Sequence, residues 1–248
     1  MEHFWDISET IPKGFGFSYF KEEHLFWLIF SFLFIAAGCV LYVRLKDTGR
    51  RRFRFTVAAL LVLTELFKQV PLVLTGNWLP CYLPFHLCSV NIFLVVLHAW
   101  KPGRTLDNFL YAICLPAAVA ALLFPGWNDL PVLNFMYLHS YALHILLVLY
   151  PLALTLGGDL RPRAKDLWKS MLLLAAMAVF FYFFNDWMYD LGLRVNFFFL
   201  RTVGKDNPLY TFKKLWGNHL YGLPIIVGAV LLVMYGPLEL FRKLRKAR

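Results

Sequence analysis

Residues 25–43 read LFWLIFSFLFIAAGCVLYV and contain no charged side chain. An α-helix rises about 1.5 Å per residue, and about 20 apolar residues cross the hydrocarbon core of a bilayer. This run is therefore long enough to span a membrane. The residues before it are acidic and aromatic, whereas a signal peptide begins with a basic segment, so we expect the run to be retained as a membrane anchor.

The composition extends this inference to the whole chain. Hydrophobic residues make up 60% of its 248 positions and charged residues only 16%, with a mean hydropathy of +0.59. Such a chain is too apolar for a soluble domain. The sequence predicts an all-α fold, a polytopic membrane helical bundle in a single domain over residues 1–248. We predict about seven transmembrane helices, at roughly 24–44, 55–74, 83–100, 107–124, 132–154, 167–189 and 220–241.

The formal net charge of +10 is concentrated near the ends of these apolar runs. This distribution is typical of topology signals and of contacts with anionic lipid headgroups, so we exclude nucleic acid as a partner. The segments RLKDTGRRRFR, KPGR, RPRAK and FRKLRKAR all fall on one side, which predicts a cytoplasmic C-terminus and an N-terminus outside. The loop at 190–218 is basic on the predicted outer side, and its aromatics fit an interfacial helix.

Ionisable residues inside two of the apolar runs are costly in lipid and therefore mark a polar interior. In LTELFKQV, residues 63–70, Glu65 and Lys68 are three apart and share a helical face, which predicts an ion pair. That pair either holds a polar core together or serves as a charge relay or headgroup anchor. In the fifth run, His139 is either a hydrogen-bonded core histidine or a general acid or base.

The segment YLPFHLCSVN, residues 82–91, begins the third run. Pro84 fits a first helical turn, which predicts that His86, Cys88, Ser89 and Asn91 occupy the first two turns. His86 and Cys88 are two apart and point in nearly opposite directions. If Cys88 is a nucleophile, its base must therefore come from another span.

Further polar residues lie near the same predicted leaflet. We expect Asn196, Asn218 and His219 to hydrogen-bond inward and to cap the same cavity. The distribution suggests a polar pocket that holds a lipid headgroup, with acyl chains between the helices. The cysteines show no metal-type spacing, and His139 and His144 diverge on their helix, so we predict no metal site and no cofactor.

Four segments together resemble the bacterial YwaF family of integral membrane proteins: LTELFKQVPLVLTGNWLPCYLPFHLCSVNIF, FLYAICLPAAVAALLFP, FMYLHS and NFFFLRTVGKDNP. That family is related to the animal transmembrane protein 164 group, described as cysteine-dependent acyltransferases that build polyunsaturated ether phospholipids. The resemblance implies that His86 and His139 match that group's histidines. Its cysteine is expected directly after the proline, where Phe85 stands here, whereas Cys88 lies two positions beyond His86. The resemblance also implies a bacterial plasma membrane.

The residues and the resemblance lead to two hypotheses. The first is acyl transfer or acyl-ester hydrolysis on a membrane phospholipid or lysophospholipid, with Cys88, His139 and His86 as catalytic residues. Its predicted substrate-binding residues are Glu65, Lys68, Asn91, Asn196, Asn218 and His219. The alternative is a non-enzymatic lipid- or solute-binding protein or transporter, in which Glu65, Lys68 and His139 line a passage. Neither hypothesis specifies a protein partner.

Overall fold

The computed structural model describes residues 3–204 and 209–246, with side chains through residue 240, and every regular element among them is helical. Seven segments of this part of the chain are long and apolar enough to cross a membrane, which confirms the predicted count and the all-α fold. The segments are Glu22–Arg44, Asp47–Leu74, Pro80–Trp100, Arg104–Leu123, Phe135–Gly157, Ala164–Asp190 and His219–Leu240.

The described residues form nine α-helices. They are α1 Glu22–Arg44, α2 Asp47–Leu74, α3 Leu87–Trp100, α4 Arg104–Phe109, α5 Leu115–Leu123, α6 Phe135–Gly157, α7 Leu167–Asp190, α8 Leu209–Trp216 and α9 Leu223–Lys246. Eight of them belong to the seven spans, and the other, α8, lies in the connection between the last two spans. A π-helical turn, Leu110–Cys114, joins α4 to α5 within the fourth span. The second span begins well before residue 55, because the basic segment after Asp47 is helical. The short helix α8 has no buried residue.

Helix α6 is the centre of the bundle. It packs against α1, α2 and α5, and most of its residues are buried. A helix that is apolar on all sides is stable only when other helices surround it or lipid covers it. The candidate functional residue His139 therefore lies on the most enclosed helix of the molecule.

The connections meet at the two ends of the bundle. At the N-terminal end, the Phe17 amide donates to the Asn128 carbonyl at 2.9 Å, and the Tyr82 hydroxyl donates to Glu9 at 2.9 Å. At the opposite end, called here the C-terminal end, the hydroxyl of Tyr42 donates to Asp159 at 2.7 Å. These long-range bonds tie the loops to the helices.

A buried three-residue network also crosses the C-terminal end. His98 Nδ1 lies 2.9 Å from the Tyr150 hydroxyl, and His98 Nε2 lies 2.9 Å from Asp107 Oδ1. Since Asp107 accepts from Nε2–H, Nδ1 accepts from the Tyr150 hydroxyl. The network joins α3, α4 and α6 through polar groups that are satisfied within it.

Gly157 permits the close approach of α6 to α1. A Cβ atom at this position would lie 2.6 Å from Cε1 of the Tyr42 ring, which is fully buried and fixed by its bond to Asp159. We expect Gly157→Ala to lower the free energy of unfolding by about 1–3 kcal/mol, the usual cost of overpacking. Thermal unfolding in detergent measures this effect. The matched control is Gly228→Ala in α9, where a Cβ would meet no atom within 4 Å; equal losses in the two variants would contradict the prediction.

Candidate functional site

A buried ion pair lies in the C-terminal half of α2. Lys68 Nζ is 2.7 Å from Glu65 Oε1, and the two residues are only 6% and 8% exposed, which confirms the pair predicted from their spacing. Gln69 Nε2 donates to the same carboxylate oxygen at 2.8 Å and to the Tyr82 carbonyl at 2.6 Å. Oε1 of Glu65 is therefore fully engaged, while Oε2 points elsewhere.

The imidazole of His139 approaches that second oxygen from α6. His139 Nε2 lies 3.8 Å from Glu65 Oε2, which is too long for a hydrogen bond but close enough for an electrostatic pair. Both ring nitrogens of His139 and Oε2 of Glu65 are buried without a hydrogen-bond partner among the described residues. Buried polar atoms almost always have a partner, so this pair can accept an additional polar atom from a ligand or water.

The start of the third span differs from the prediction. Helix α3 begins at Leu87, and His86 is its N-cap residue with extended backbone angles of φ −68° and ψ 154°. The prediction that Pro84 opens the helix is wrong, because the preceding segment forms a 3-10 turn at Pro80–Tyr82 and a further turn bond from Phe85 N to the Leu83 carbonyl. His86 consequently lies outside the helix that carries Cys88.

Cys88 and His86 both lie near the ion pair. Each is within electrostatic range of Lys68 and Glu65, and Cys88 packs against the edge of the main apolar core. Because neither nitrogen of His139 has a hydrogen-bond partner, the Cys88 thiol is not bonded to that imidazole in this conformation. The structure thus places thiol and imidazole around the same ion pair without joining them.

An apolar groove of about 420 Å³ lies between α1, α2 and α6, with His139 in its wall. Phe30, Leu63, Thr64 and Ile145 are among its other lining residues, and His139 is its single ionisable one. Binding pockets for small molecules are commonly this large and mostly apolar, with few polar groups. The groove therefore fits a hydrocarbon chain, and His139 lies in its wall with both ring nitrogens buried. Among the described side chains, no group of three or more His, Cys, Asp or Glu could hold a metal ion.

Comparison with models of protein families shows which family the chain is related to. The family model of the TMEM164 family matches residues 19–235, and this range includes the ion pair, His139 and Cys88. The chain belongs to the TMEM164 family. Neither the curated proteins nor the solved structures give a match. The seven spans and the TMEM164 membership together describe a multi-pass membrane protein.

In this member of the TMEM164 family, residues 196–202 form a segment that we call the aromatic strap. The strap covers the ring of His86. The ring centroids of Phe197 and Phe199 lie 5.3 Å and 5.6 Å from that of His86. Phe198 and Phe199 have φ angles of 58° and 54°, a left-handed conformation that costs roughly 1–2 kcal/mol per residue. Contacts from the rest of the chain must offset that strain.

Two side chains fix the strap. Asn185, fully buried in α7, accepts from the Phe197 amide and donates to the Phe197 carbonyl, both at 2.9 Å. His219 Nε2 donates to the Phe199 carbonyl at 2.9 Å. Asn185 was not predicted as a site residue, although an asparagine within an apolar run is the signal that marks it.

The remaining predicted residues have different surroundings. Asn196 bonds with its side chain to the backbone of Arg201 and Thr202, and the exposed Asn218 accepts from the Leu220 amide as a helix cap. Asn91 is 1% exposed, and its Oδ1 has no hydrogen-bond partner among the described groups. The ion pair, His139, His86 and Cys88 are thus grouped, while Asn196, Asn218 and His219 bond to nearby loops.

Proposed function

We propose that this TMEM164-family protein transfers or hydrolyses acyl groups of membrane phospholipids at the site formed by Glu65, His139 and Cys88. One observation carries the proposal: His139 lies in the wall of an apolar groove that fits a hydrocarbon chain, and its unpartnered Nε2 lies 3.8 Å from Oε2 of Glu65. The substrates would be a phospholipid and a lysophospholipid or water, without a cofactor. The proposal includes the bacterial YwaF branch and the cell membrane, with the N-terminus outside.

The acyl chain would lie in the groove with its ester bond beside His139. His139 takes the proton of the Cys88 thiol, and the thiolate attacks the ester carbonyl. The bond between the carbonyl carbon and the lipid oxygen breaks, and that oxygen takes the proton from the imidazolium, leaving an acyl thioester and a lysophospholipid. Glu65 stabilises the positive charge on His139 during this step.

The second half-reaction regenerates the free Cys88 thiol from the acyl thioester. An acceptor hydroxyl, from a lysophospholipid or from water, gives its proton to His139 and attacks the thioester carbonyl. The carbon–sulfur bond breaks, and the Cys88 thiolate takes the proton back. Both halves require thiol and imidazole to move closer than they are here, and catalytic hydrogen bonds are often long in empty sites.

Other predicted residues have supporting roles in this proposal. Lys68 compensates the charge of Glu65 and, with His86, attracts the phosphate of the headgroup. Asn91 offers its unpartnered Oδ1 to a donor on the substrate. Asn196, Asn218 and His219 act through the loops that they hold, and the strap positions His86.

The alternative is non-enzymatic lipid binding, in which the groove holds a chain and no bond is broken. The missing hydrogen bond between Cys88 and His139 favours this alternative. The two functions differ in whether a bound phospholipid is consumed.

We expect His139→Asn to lower acyl turnover about 100-fold or more, since general acid–base catalysis usually contributes at least that much. The assay uses purified protein in nanodiscs with a phospholipid that carries a fluorescent acyl chain, and it measures labelled lysolipid, fatty acid and transfer product. The matched control is His144→Asn, because His144 is also buried in α6 but bonds to the Ser140 carbonyl and stacks on Trp127. Equal activity in the two variants would exclude His139 as the proton carrier.

Cys88 is tested separately in the same assay. A hydroxylamine-sensitive acyl label on the protein should disappear in Cys88→Ala and persist in Cys39→Ala, a buried cysteine of α1. Turnover that survives Cys88→Ala but not His139→Asn would show direct transfer to the acceptor and remove the thioester. Lipid that is bound but never consumed by the unmodified protein would establish the non-enzymatic alternative.

A further inference from the structure

Arg54, in the second turn of α2, has an exceptional environment at the C-terminal end of the bundle. The residue is half-buried, and its Nε atom is buried without a hydrogen-bond partner. Neither an ion pair nor a hydrogen bond to Arg54 occurs within the described part of the chain. Arg50, one turn earlier, bonds instead to Asp159 and to the carbonyls of Gly157, Leu45 and Val43.

Arg54 forms no hydrogen bond through Nε to the two phenols near it. It acts electrostatically on the phenols of Tyr42 and Tyr150, which are both fully buried. The Tyr42 hydroxyl already donates to Asp159, and the Tyr150 hydroxyl already donates to His98.

Two carboxylates at this end are bonded to other side chains. Asp159 binds Arg50 at 3.1 Å, and Asp107 binds His98 at 2.9 Å. An arginine in a membrane-spanning segment without an anionic partner is costly, and such residues usually have a partner that defines their role. Neither of these two carboxylates bonds to Arg54 among the described residues.

The planar guanidinium offers five donors and matches the oxygens of a phosphate group better than any other side chain. Arg54 lies near the start of its span, and the exposed Arg51 and Arg52 beside it add a general attraction for anions. We propose that Arg54 binds the phosphate of an anionic phospholipid at the C-terminal end. Eleven helical positions separate it from Glu65, or roughly 16 Å, so this site is separate from the acyl-transfer site and independent of it.

The test is a titration of the full chain in maltoside detergent with phosphatidylglycerol, with bound lipid counted by native mass spectrometry. We expect Arg54→Gln to weaken the tightest phosphatidylglycerol site roughly fivefold or more, the effect of one arginine at a charged surface. The matched control, Arg52→Gln, removes the same charge from an exposed position and should change affinity less than twofold. Equal weakening in both variants would overturn the proposal.

Two further binding measurements identify the source of the phosphate, and a second variant is available if the first does not fold. Millimolar inorganic phosphate should not displace the lipid, whereas displacement would show that free phosphate is the ligand and overturn the lipid assignment. Phosphatidylcholine should bind more weakly than phosphatidylglycerol, and equal binding would also overturn it. If Arg54→Gln does not fold, Arg54→Lys replaces it; that variant should bind less lipid because an ammonium lacks the guanidinium fork, and unchanged binding would refute the site.

Discussion

Lys68→Met is expected to destabilise the protein by about 3–5 kcal/mol, the usual cost of removing one partner from a buried ion pair. The substitution leaves the Glu65 carboxylate with Gln69 as its remaining hydrogen-bond donor and His139 at 3.8 Å. The buried charge then lacks the cation that offsets its loss of hydration. Thermal and denaturant unfolding in detergent micelles measure the loss.

A double-mutant cycle separates the pair from the packing of the side chains. The double variant Glu65→Gln/Lys68→Met removes both charges, and we expect it to be markedly more stable than Lys68→Met alone. Lys101→Met is the control, because Lys101 is exposed and follows α3. A loss in Lys68→Met no larger than that of Lys101→Met would mean that the pair contributes nothing to stability.

Asn185→Leu should cost about 1–3 kcal/mol, because the substitution leaves the buried Phe197 amide unsatisfied, whereas the Phe197 carbonyl still accepts from the Leu200 amide at 3.4 Å. Leucine has nearly the same shape as asparagine but can neither accept from the Phe197 amide nor donate to its carbonyl. The strained residues Phe198 and Phe199 then lose the support of one of their two fixed points. Thermal unfolding measures the stability, and the rate at which maleimide labels Cys88 measures the opening of the strap over His86.

The matched control for this variant is Asn218→Ala, which removes an exposed helix cap and should cost about 1 kcal/mol. We expect faster labelling of Cys88 in Asn185→Leu alone. Similar stability and similar labelling in the two variants would mean that Asn185 does not hold the strap.

Length and hydropathy alone were sufficient to predict the seven spans, because a helix must cross a fixed thickness of hydrocarbon. The Glu65–Lys68 pair was also predictable, since residues three apart on a helix are neighbours. The start of the third helix was not predictable. Pro84 alone favours a helix that begins at that residue, but residues 80–85 form turns instead. The helical state of the basic segment after Asp47 was missed for a similar reason, since charge suggested a loop there.

The candidate site was only partly predictable. Sequence identified Glu65 and His139 as polar residues in two spans, but their facing positions depend on how α2 packs against α6. The strap was not predicted, because its conformation depends on Asn185 and His219. Both residues lie outside the strap, in other elements of the chain. A role for Arg54 was likewise not predicted, because the residue lies among other arginines in the sequence and only its burial distinguishes it from them.

The groove between α1, α2 and α6 has Phe30 and Leu63 in its rim, and both are largely exposed on the lipid-facing side of the spans. A ligand can thus enter by diffusing sideways within the bilayer, without passing through water. Its effective concentration is then a mole fraction in the membrane, and the bulk concentration has little meaning. Alkyl tails of detergent should compete for the same space, so apparent affinities will depend on micelle composition.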